Sequence, residues 1–245
     1  MDIKGKSALV TGAASGIGRA TAQMLAERGV AKIVIVDVDE AALRTLAGTL
    51  RVAGTSAIAN VVDLRNADAV ARLYEEAHRD TGGLDIVFNN AGRMTGGADF
   101  PDCDVASMVA TVQVNLIAMM VGTRIAVEHM RRRKAPGVIV NTSSMAAFSH
   151  MPADPAYSAS KHGILAFTQS CKPLSEQFKI RVMAICPGIT DTAIVPKDAA
   201  WLRPFLGSIV LLTPEDIARE VCRIVEDDAL AGDYVAIGNQ QVAPA

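Results

Sequence analysis

Tyr157 and Lys161 lie four residues apart in the segment YSASK, with only small side chains between them. If this segment is helical, residues i and i+4 share one face, and the ammonium group lies beside the phenol. A tyrosine hydroxyl ionises near pH 10, so a base that acts near neutrality needs its pKa lowered by about 3 units, or roughly 4 kcal/mol. One positive charge at ~4 Å supplies about 4 kcal/mol at an effective dielectric constant near 20. The spacing therefore predicts a proton-transferring pair, although a Y-x-x-x-K pattern alone is more often an ordinary helix surface.

A glycine-rich stretch, TGAASGIG at Thr11–Gly18, separates an apolar run from an amphipathic one. Glycines at such a place let the chain turn tightly and let backbone N–H groups approach a pyrophosphate at a helix N-terminus. Glycines also serve turns between strands and helices for steric reasons alone. The position between a strand and a helix favours dinucleotide binding over that alternative.

Asp37 ends the run KIVIVD, about twenty residues beyond the glycine-rich stretch, where a carboxylate can accept hydrogen bonds from ribose hydroxyls. The same carboxylate repels a 2′-phosphate, and neither Ser15 nor Val38 supplies a compensating cation. The sequence therefore favours NAD over NADP. Read alone, Asp37 is equally an ordinary residue at a strand end.

Short strand-like runs alternate with longer amphipathic runs along the chain, which predicts right-handed βαβ crossovers. We expect a single α/β domain over residues 1–245, a doubly wound Rossmann-type parallel sheet of about seven strands with helices on both faces. Its ligand crevice should lie at the carboxyl ends of the strands. The strand-like runs are Ser7–Thr11, Lys32–Asp37, Ser56–Val62, Ile86–Asn89, Val138–Thr142, Arg181–Cys186 and Tyr234–Ile237, and the helix-like runs are Ile17–Arg28, Glu40–Arg51, Asn66–Thr81, Asp104–Arg131, a run from about Ala156, and Pro214–Glu226.

The charge balance, 24 Lys and Arg against 26 Asp and Glu, argues against nucleic-acid or membrane-surface partners. The one basic run, Arg131–Lys134, fits the C-terminus of a helix. The 4 cysteines and 4 histidines are scattered without a ligand spacing, so no metal site is expected. The chain starts without an apolar signal core, and no uninterrupted apolar run approaches the ~18 residues of a membrane span. We therefore expect a cytoplasmic protein.

Six motifs occur in a fixed order: TGAASGIG, NNAG at Asn89–Gly92, VNL with Asn115, NTSS ending at Ser144, YSASK, and CPGITDT at Cys186–Thr192. Each is weak alone, but together they make the chain resemble the short-chain dehydrogenase/reductase family of the compact, single-domain type. The resemblance covers essentially the whole chain.

The resemblance implies a catalytic role for four side chains. Tyr157 would be the general acid/base at the substrate oxygen, and Lys161 would lower its pKa and bind the nicotinamide ribose. Ser144, thirteen residues before Tyr157, would orient the carbonyl or alcohol, whereas its neighbour Ser143 is not expected to do so. Asn115 would hold a water molecule that links Lys161 to solvent, and a polar residue that caps or kinks a long helix is compatible with that role.

The resemblance also implies the residues that bind the nucleotide. Asp63 and Leu64 would lie at the adenine, Asn90, Ala91 and Gly92 near the adenosine ribose, and the segment after the sixth strand around the nicotinamide. The full expected set is Gly12, Ser15, Gly16, Ile17, Gly18, Asp37, Asp63, Leu64, Asn90, Ala91, Gly92, Tyr157, Lys161, Pro187, Gly188, Thr190 and Thr192.

Two features concern the subunit contacts and the substrate. Pro173 interrupts the helix that follows YSASK, so we expect a kink or an early break there. Family members commonly pair this helix with the long one before it in a homodimer or homotetramer. The segment between Thr192 and Pro214 is the family's substrate lid. Its apolar side chains favour a lipophilic substrate, although packing on the protein body explains them equally well.

The prediction from the sequence is an NAD-dependent oxidoreductase that transfers a hydride between the nicotinamide and a secondary alcohol or ketone. Local likeness to the hydroxyprostaglandin dehydrogenase branch does not fix the substrate. A 3-oxoacyl-type reductase is the alternative within the class, and Asp37 argues against it because such enzymes usually prefer NADPH. A non-catalytic dinucleotide sensor is the alternative from another class, and Ser144, Tyr157 and Lys161 argue against it because a sensor needs no proton donor.

Overall fold

A computed structural model of the chain describes residues 1–241, so the last four residues of the expected domain lie outside it. The described residues form a seven-stranded, all-parallel sheet in the order β3-β2-β1-β4-β5-β6-β7. The predicted doubly wound fold is confirmed. The strands are β1 (Ser7–Thr11), β2 (Lys32–Asp37), β3 (Ser56–Val61), β4 (Ile86–Asn89), β5 (Gly137–Thr142), β6 (Ile180–Pro187) and β7 (Tyr234–Ile237).

Helices cover both faces of this sheet, because successive residues of a buried strand point to opposite sides. Ala8 and Val10 of β1 belong to one hydrophobic core, and Leu9 between them belongs to the other. The first core contains side chains of α1, α2 and α9, and the second contains side chains of α3 and α5. The helices are α1 (Gly16–Glu27), α2 (Glu40–Val52), α3 (Ala67–Thr81), α4 (Val105–Val112), α5 (Ala118–Arg133), α6 (Pro155–Ser170), α7 (Pro173–Phe178), α8 (Arg203–Leu206) and α9 (Pro214–Glu226).

The winding direction reverses between β1 and β4, which are neighbours in the sheet. The loops after these two strands therefore diverge and leave a crevice at the carboxyl edge of the sheet. The segments after β5 and β6 end at the same edge. Most of the predicted site residues follow these four strands.

The long helix predicted for Asp104–Arg131 is interrupted by a π-helical turn at Gln113–Ile117, between α4 and α5. By length and hydropathy alone, the continuous helix Val105–Arg133 could cross a membrane, and 33% of its most apolar window is buried in the fold. It packs on α3 and α6 and contributes Ala118, Ala126 and Met130 to the second core. Because the core helix of a layered domain meets the same hydropathy criterion, the criterion does not assign this helix to a membrane.

The predicted break at Pro173 is present in the structure. Helix α6 ends at Ser170, and Pro173 occupies the first position of α7, where its missing N–H is not needed. The basic run also lies where it was predicted, in the last turn of α5, where cations face the negative end of the helix dipole. Arg133 pairs with Asp85 at 2.9 Å, and Arg131 stacks on the Phe178 ring at 4.4 Å.

Asn239, two residues beyond the end of β7, is hydrogen-bonded to both ends of the segment between β6 and α9. Its amide oxygen accepts from Ile189 N at 2.7 Å, and its amide nitrogen donates to Ile189 O at 2.7 Å and Val210 O at 3.0 Å. The backbone of Gln240 adds a hydrogen bond from Val210 N at 2.8 Å. Asn239 and Gln240 therefore connect the two ends of the segment that contains the predicted lid.

Asn239→Ala is expected to lower the free energy of unfolding by about 2 kcal/mol, since three hydrogen bonds at roughly 1 kcal/mol each are removed from a partly solvated site. Gln240→Ala is the matched control, because Gln240 contacts Val210 only through its backbone, and it should change stability by less than about 0.5 kcal/mol. Urea unfolding measures both variants. Equal free energies of unfolding for Asn239→Ala and Gln240→Ala would contradict the stabilising role of the Asn239 side chain.

Candidate active site

The glycine-rich turn packs tightly against two other loops of the sheet edge. Gly12 and Gly16 have φ of +65° and +50°, which few residues other than glycine adopt. A Cβ on Gly12 would lie 2.9 Å from Ala91 Cα, and one on Gly16 would lie 2.9 Å from Thr192 Cγ2. The structure thus brings together the predicted segments after β1, β4 and β6.

The N-terminus of α1 faces this crevice with a free set of backbone donors. Ser15 is the residue before the helix, and within residues 1–241 its side chain makes no capping hydrogen bond. The first turn of Gly16–Glu27, which includes Ile17 and Gly18, carries no acidic side chain. The N–H groups and the helix dipole can therefore bind an anion such as a pyrophosphate at this place.

Asp37 lies at the end of β2, as the sequence predicts, and it also supports the glycine-rich turn. One carboxylate oxygen accepts from Ala14 N at 2.9 Å, and the other accepts from Val38 N at 2.7 Å. These two hydrogen bonds fix the orientation of the Asp37 carboxylate, which the binding of a ribose hydroxyl requires. Its role as an ordinary strand-end residue and its predicted ligand role are compatible.

Asp63 and Leu64 follow β3 on the far side of the crevice. The Asp63 carboxylate is exposed and forms a bidentate pair with Arg65, with Arg65 Nη2 at 2.6 Å and Nε at 2.9 Å. This hydrogen bond lowers the pKa of Asp63. Leu64 is buried and lines a small cavity with Thr11 and Ala91. Leu64 thus lies beside the ends of β1 and β4, and the Asp63 side chain is directed to Arg65.

Thr11 joins the ends of β1 and β4. Its hydroxyl oxygen accepts from Asn90 N and from Ala91 N, both at 3.0 Å. The Asn90 amide donates to Thr11 O at 3.1 Å and accepts from the Thr142 hydroxyl at 3.3 Å. Asn90, Ala91 and Gly92 are thus held at the centre of the crevice floor.

Tyr157 and Lys161 lie on one face of α6, as the four-residue spacing predicts. The Lys161 Nζ is 5.5 Å from the centroid of the Tyr157 ring and donates to Thr142 O at 2.8 Å. Lys161 is 3% exposed, although it carries a titratable amine. A Cβ built on Gly92 would lie 3.6 Å from Nζ, which places the amine at the crevice floor.

The lowering of the Tyr157 pKa that the sequence predicts from Lys161 is opposed by burial in this structure. Burial raises the pKa of the Tyr157 hydroxyl, a hydrogen bond with Ser144 lowers it, and the charge of Asp154 raises it further. Burial likewise lowers the pKa of Lys161 to about 8. An estimate from the charge of Lys161 alone omits the cost of desolvating both groups.

The two serines after β5 have different surroundings. The Ser143 hydroxyl is buried and donates to Lys161 O at 2.8 Å, so it supports the backbone of α6. The Ser144 hydroxyl accepts from Ala146 N at 3.1 Å and acts on the phenol of Tyr157. The Ser143 hydroxyl is thus occupied by the α6 backbone, and the substrate-orienting role expected of Ser144 stays a prediction.

Asn115 lies inside the π-helical turn and is 2% exposed. Its amide oxygen accepts from Arg93 N at 2.8 Å, and its amide nitrogen donates to Arg93 O at 2.9 Å and Ser160 Oγ at 3.0 Å. The helix irregularity expected at Asn115 is present. The side chain of Asn115 is thus held by Arg93 and Ser160, and its expected role in binding a water molecule stays a prediction.

Pro187 ends β6, and the next residues are held at the crevice by backbone contacts. Gly188 N donates to Ile237 O at 2.7 Å, and a Cβ on Gly188 would lie 2.3 Å from Asn239 Oδ1. The hydroxyls of Thr190 and Thr192 donate within the loop, to Gly188 O at 3.2 Å and Thr190 O at 3.3 Å. All four predicted residues of this segment lie at the same sheet edge as Gly16 and Lys161.

Sequence reasoning missed several residues that hold the site together, above all Asp154, Thr95 and Asn239. The order Asp154-Pro155 before an apolar run carries a recognisable signal, because Asp is a favoured N-cap and Pro a favoured first helical residue. Nothing local marks Thr95 or Asn239, whose partners are distant in the chain. Among residues 1–241 no cluster of three His, Cys, Asp or Glu side chains could hold a metal ion.

The family model of the short chain dehydrogenases matches residues 6–203. The chain belongs to the short-chain dehydrogenase family. It is therefore an oxidoreductase of the family that binds a nicotinamide dinucleotide and acts on small molecules.

Individual short-chain dehydrogenases resemble it over nearly their whole length. It is 36% identical to a cis-4-hydroxycyclohexanecarboxylate dehydrogenase of Sinomonas cyclohexanicum, covering 91% of this chain and 90% of that protein. It is 31% identical to the 15-hydroxyprostaglandin dehydrogenase [NAD(+)] of Bos taurus, covering 97% and 92%. A crystal structure of a short-chain dehydrogenase from Burkholderia cenocepacia J2315 in complex with NADP superposes with a TM-score of 0.87 at 30% identity, covering 97% and 98%.

Gly18→Ala is expected to destabilise the protein by about 3 kcal/mol, because the new Cβ would lie 2.0 Å from Gly12 O and 2.7 Å from Asn90 Nδ2. Gly18→Ala should also weaken nucleotide binding, because the overlap of the new Cβ with Gly12 O displaces the glycine-rich turn. Gly48→Ala is the control: no atom lies within 4 Å of the new Cβ in α2, and alanine should stabilise the helix by about 0.5–1 kcal/mol. Thermal unfolding and NADH fluorescence compare the two variants, and a Gly18→Ala protein that is as stable as the wild type contradicts the packing argument.

Proposed function

We propose that this short-chain dehydrogenase is an NAD-dependent enzyme that transfers a hydride between the nicotinamide and a secondary alcohol or ketone. The observation that carries the proposal is the convergence of Ser144, Tyr157 and Lys161 on the sheet edge that also holds the glycine-rich turn. A dinucleotide sensor would have no use for a proton donor at this position.

The residues support a division of labour at the reacting carbon. Ser144 orients the substrate oxygen, and Tyr157 exchanges the proton with it. The raised pKa of Tyr157 keeps the phenol protonated near neutrality, which is the form that donates to a ketone. When bound, the nicotinamide would donate or accept the hydride. In its oxidised form it would also add a positive charge to the crevice.

Lys161 has two proposed roles: its amine binds the nicotinamide ribose, and it takes part in the transfer of the proton to solvent. Its Nζ is anchored to Thr142 O, next to Gly92 and Asn115, where an amine can also donate to a ribose hydroxyl. A pKa near 8 lets the amine pass a proton at physiological pH. Asn115 is then the residue that holds the water linking Lys161 to solvent.

The preference for NAD rests on the Asp37 carboxylate. It is fixed by Ala14 N and Val38 N, so it cannot turn away from a 2′-phosphate without losing hydrogen bonds. The Bos taurus relative is named for NAD(+), and the Burkholderia cenocepacia neighbour holds NADP, so relatives of this fold use both.

The proposed substrate is a lipophilic secondary alcohol or the corresponding ketone. The segment at residues 191–199 lines an open cavity of about 590 Å³. Three apolar side chains, Ile194 and Phe205 of the lid segment and Phe148 beyond Ser144, are exposed. The Sinomonas cyclohexanicum relative is named for a hydroxycyclohexanecarboxylate, a ring alcohol of the same class.

We further propose that residues 1–245 form one domain and that the protein works in the cytoplasm as a homodimer or homotetramer. Apolar side chains on the outer surface of α4, the π-helical turn and α5 support self-association, because an exposed apolar stripe of this kind favours burial against a second copy. They are Val105, Val109, Ile117 and Met120.

Tyr157→Phe is expected to lower turnover by at least about 100-fold, because general acid/base catalysis commonly contributes that much, while NADH affinity stays within about twofold. A panel of lipophilic secondary alcohols with NAD, followed by absorbance, provides the assay. Tyr234→Phe is the control, since it removes a hydroxyl from an exposed ring and keeps the stacking on Phe148. Undiminished turnover of Tyr157→Phe removes the assignment, and a 3-oxoacyl substrate turned over with NADPH would favour that alternative.

NADH is expected to bind at least about tenfold more tightly than NADPH, because Asp37 repels the additional phosphate. Asp37→Asn should narrow this ratio, since the amide oxygen still accepts from Ala14 N while the charge is lost. Fluorescence titration of both nucleotides measures the ratio, and Glu40→Gln, at an exposed helix position nearby, serves as the control. Tighter binding of NADPH by the wild type would reverse the cofactor assignment.

A further inference from the structure

Arg93 follows Gly92 in the loop after β4, and its backbone has a fixed position near the amine proposed for catalysis. Asn115 binds both polar groups of that backbone, with its amide oxygen 2.8 Å from Arg93 N and its amide nitrogen 2.9 Å from Arg93 O. A Cβ built on Gly92 would lie 3.6 Å from Lys161 Nζ. The Arg93 side chain therefore begins one residue beyond the contact with the amine.

The Arg93 guanidinium uses only part of its hydrogen-bonding capacity within the protein. Its Nε donates to Met94 O and its Nη2 donates to Thr95 O, both at 3.3 Å, which is longer than a typical N–H···O hydrogen bond. A guanidinium has five N–H donors in a planar fork. The side chain is half-buried, and no aspartate or glutamate within residues 1–241 forms an ion pair with it. A partly desolvated cation without a counter-ion favours the binding of an anion.

Asp154 is the carboxylate that contacts the same loop, and its oxygens are already engaged. It accepts from Thr95 N and Thr95 Oγ1, both at 2.7 Å, and from Tyr157 N at 3.0 Å. These hydrogen bonds hold the loop against the first turn of α6 and leave Arg93 without a counter-ion. The guanidinium, which contacts Thr95 O, therefore lies on the loop that connects the crevice floor to the N-terminus of the tyrosine helix.

The anion that the nucleotide carries has a different expected position. A pyrophosphate fits the backbone donors at the N-terminus of α1. The loop that carries Arg93 instead contacts the segment between β5 and α6, where Phe100 N donates to Ala153 O at 3.0 Å. That segment begins with Ser144 and carries the exposed ring of Phe148. An anion at Arg93 therefore belongs to the substrate, and Phe148 offers contact to its apolar part.

We propose that Arg93 binds a carboxylate of the substrate, so that the substrate is a lipophilic hydroxy acid or the corresponding keto acid. The inference rests on the proposed function and defines its substrate class more closely. The planar fork of a guanidinium matches two carboxylate oxygens, and such charge-assisted pairs are stronger than neutral hydrogen bonds. Arg93 selects the substrate and orients its alcohol carbon toward Ser144 and Tyr157, and it takes no part in the proton transfer.

The test measures the binding of small acids to the enzyme–NADH complex near pH 7, which needs no turnover. The probes are benzoate and hexanoate, each compared with its neutral amide, benzamide or hexanamide, and followed by the fluorescence of bound NADH. The wild type should bind each acid at least about tenfold more tightly than its amide, because a charge-assisted hydrogen bond contributes that much. Arg93→Met should lose this preference, while its affinity for the amides changes by less than about twofold.

Two further variants separate the charge of Arg93 from its structural contacts. Arg72→Met removes the same charge from an exposed position on α3 and should keep the preference of the wild type. Arg93→Gln removes the charge but retains an amide that can donate to the loop carbonyls, and it should lose the preference even if Arg93→Met does not fold. In the alcohol panel, Arg93→Gln should raise the KM of hydroxy acids by about tenfold and leave the KM of their methyl esters unchanged.

Equal affinities of the wild type for acid and amide overturn the inference, and so does an undiminished preference in a folded Arg93 variant. Weaker NADH binding by Arg93→Gln with an unchanged preference for acids assigns Arg93 to the nucleotide and overturns the inference as well. A wild-type protein that turns over no alcohol refutes the proposed function instead. The titration distinguishes the two failures because it measures binding alone.

Discussion

The contact between the ends of β1 and β4 is the constraint on which the rest of the site depends. Here the winding of the sheet reverses, and one hydroxyl, that of Thr11, accepts from two successive backbone amides of the neighbouring strand end. Glycines at positions 12 and 18 allow this approach, because side chains there would overlap Ala91, Gly12 O or Asn90. Once this contact is made, the helix N-terminus, the Asp37 carboxylate and the Asn90–Gly92 loop have fixed relative positions.

Buried polar contacts among β4, β5 and the neighbouring helices hold the ends of these strands in register. Asn89 donates to Asn141 Oδ1 at 2.8 Å and to Thr123 Oγ1 at 3.1 Å, and Asn141 donates to Thr168 Oγ1 at 3.1 Å. The Tyr74 hydroxyl donates to Asn89 Oδ1. A buried network with every member satisfied specifies one arrangement, since a slipped register would leave amides without partners. The β5 end, and with it Ser144, is thereby aligned with the β4 end.

The pKa values of Tyr157 and Lys161, the pair proposed for catalysis, follow from burial more than from the charge of the lysine. Desolvation disfavours the charged form of each group, so the phenol and the amine both move toward neutrality. The phenol therefore holds its proton more firmly, while the amine, with its pKa lowered to about 8, releases its proton more readily.

The sequence determined the features that depend on neighbours along the chain. Alternation of strand-like and helix-like runs predicted the layered sheet, the position of the glycines predicted the first turn, and the spacing of Tyr157 and Lys161 placed both on one face of α6. Only the tertiary structure decided the features that depend on burial and on distant partners. Thr95 and Asp154 are 59 residues apart and Asn239 and Ile189 are 50 residues apart, so no local pattern marks these contacts. The sign of the Tyr157 pKa shift was decided in the same way, because desolvation is set by all the chain segments packed around a group, whereas the spacing of two residues reports only on the helix that carries them.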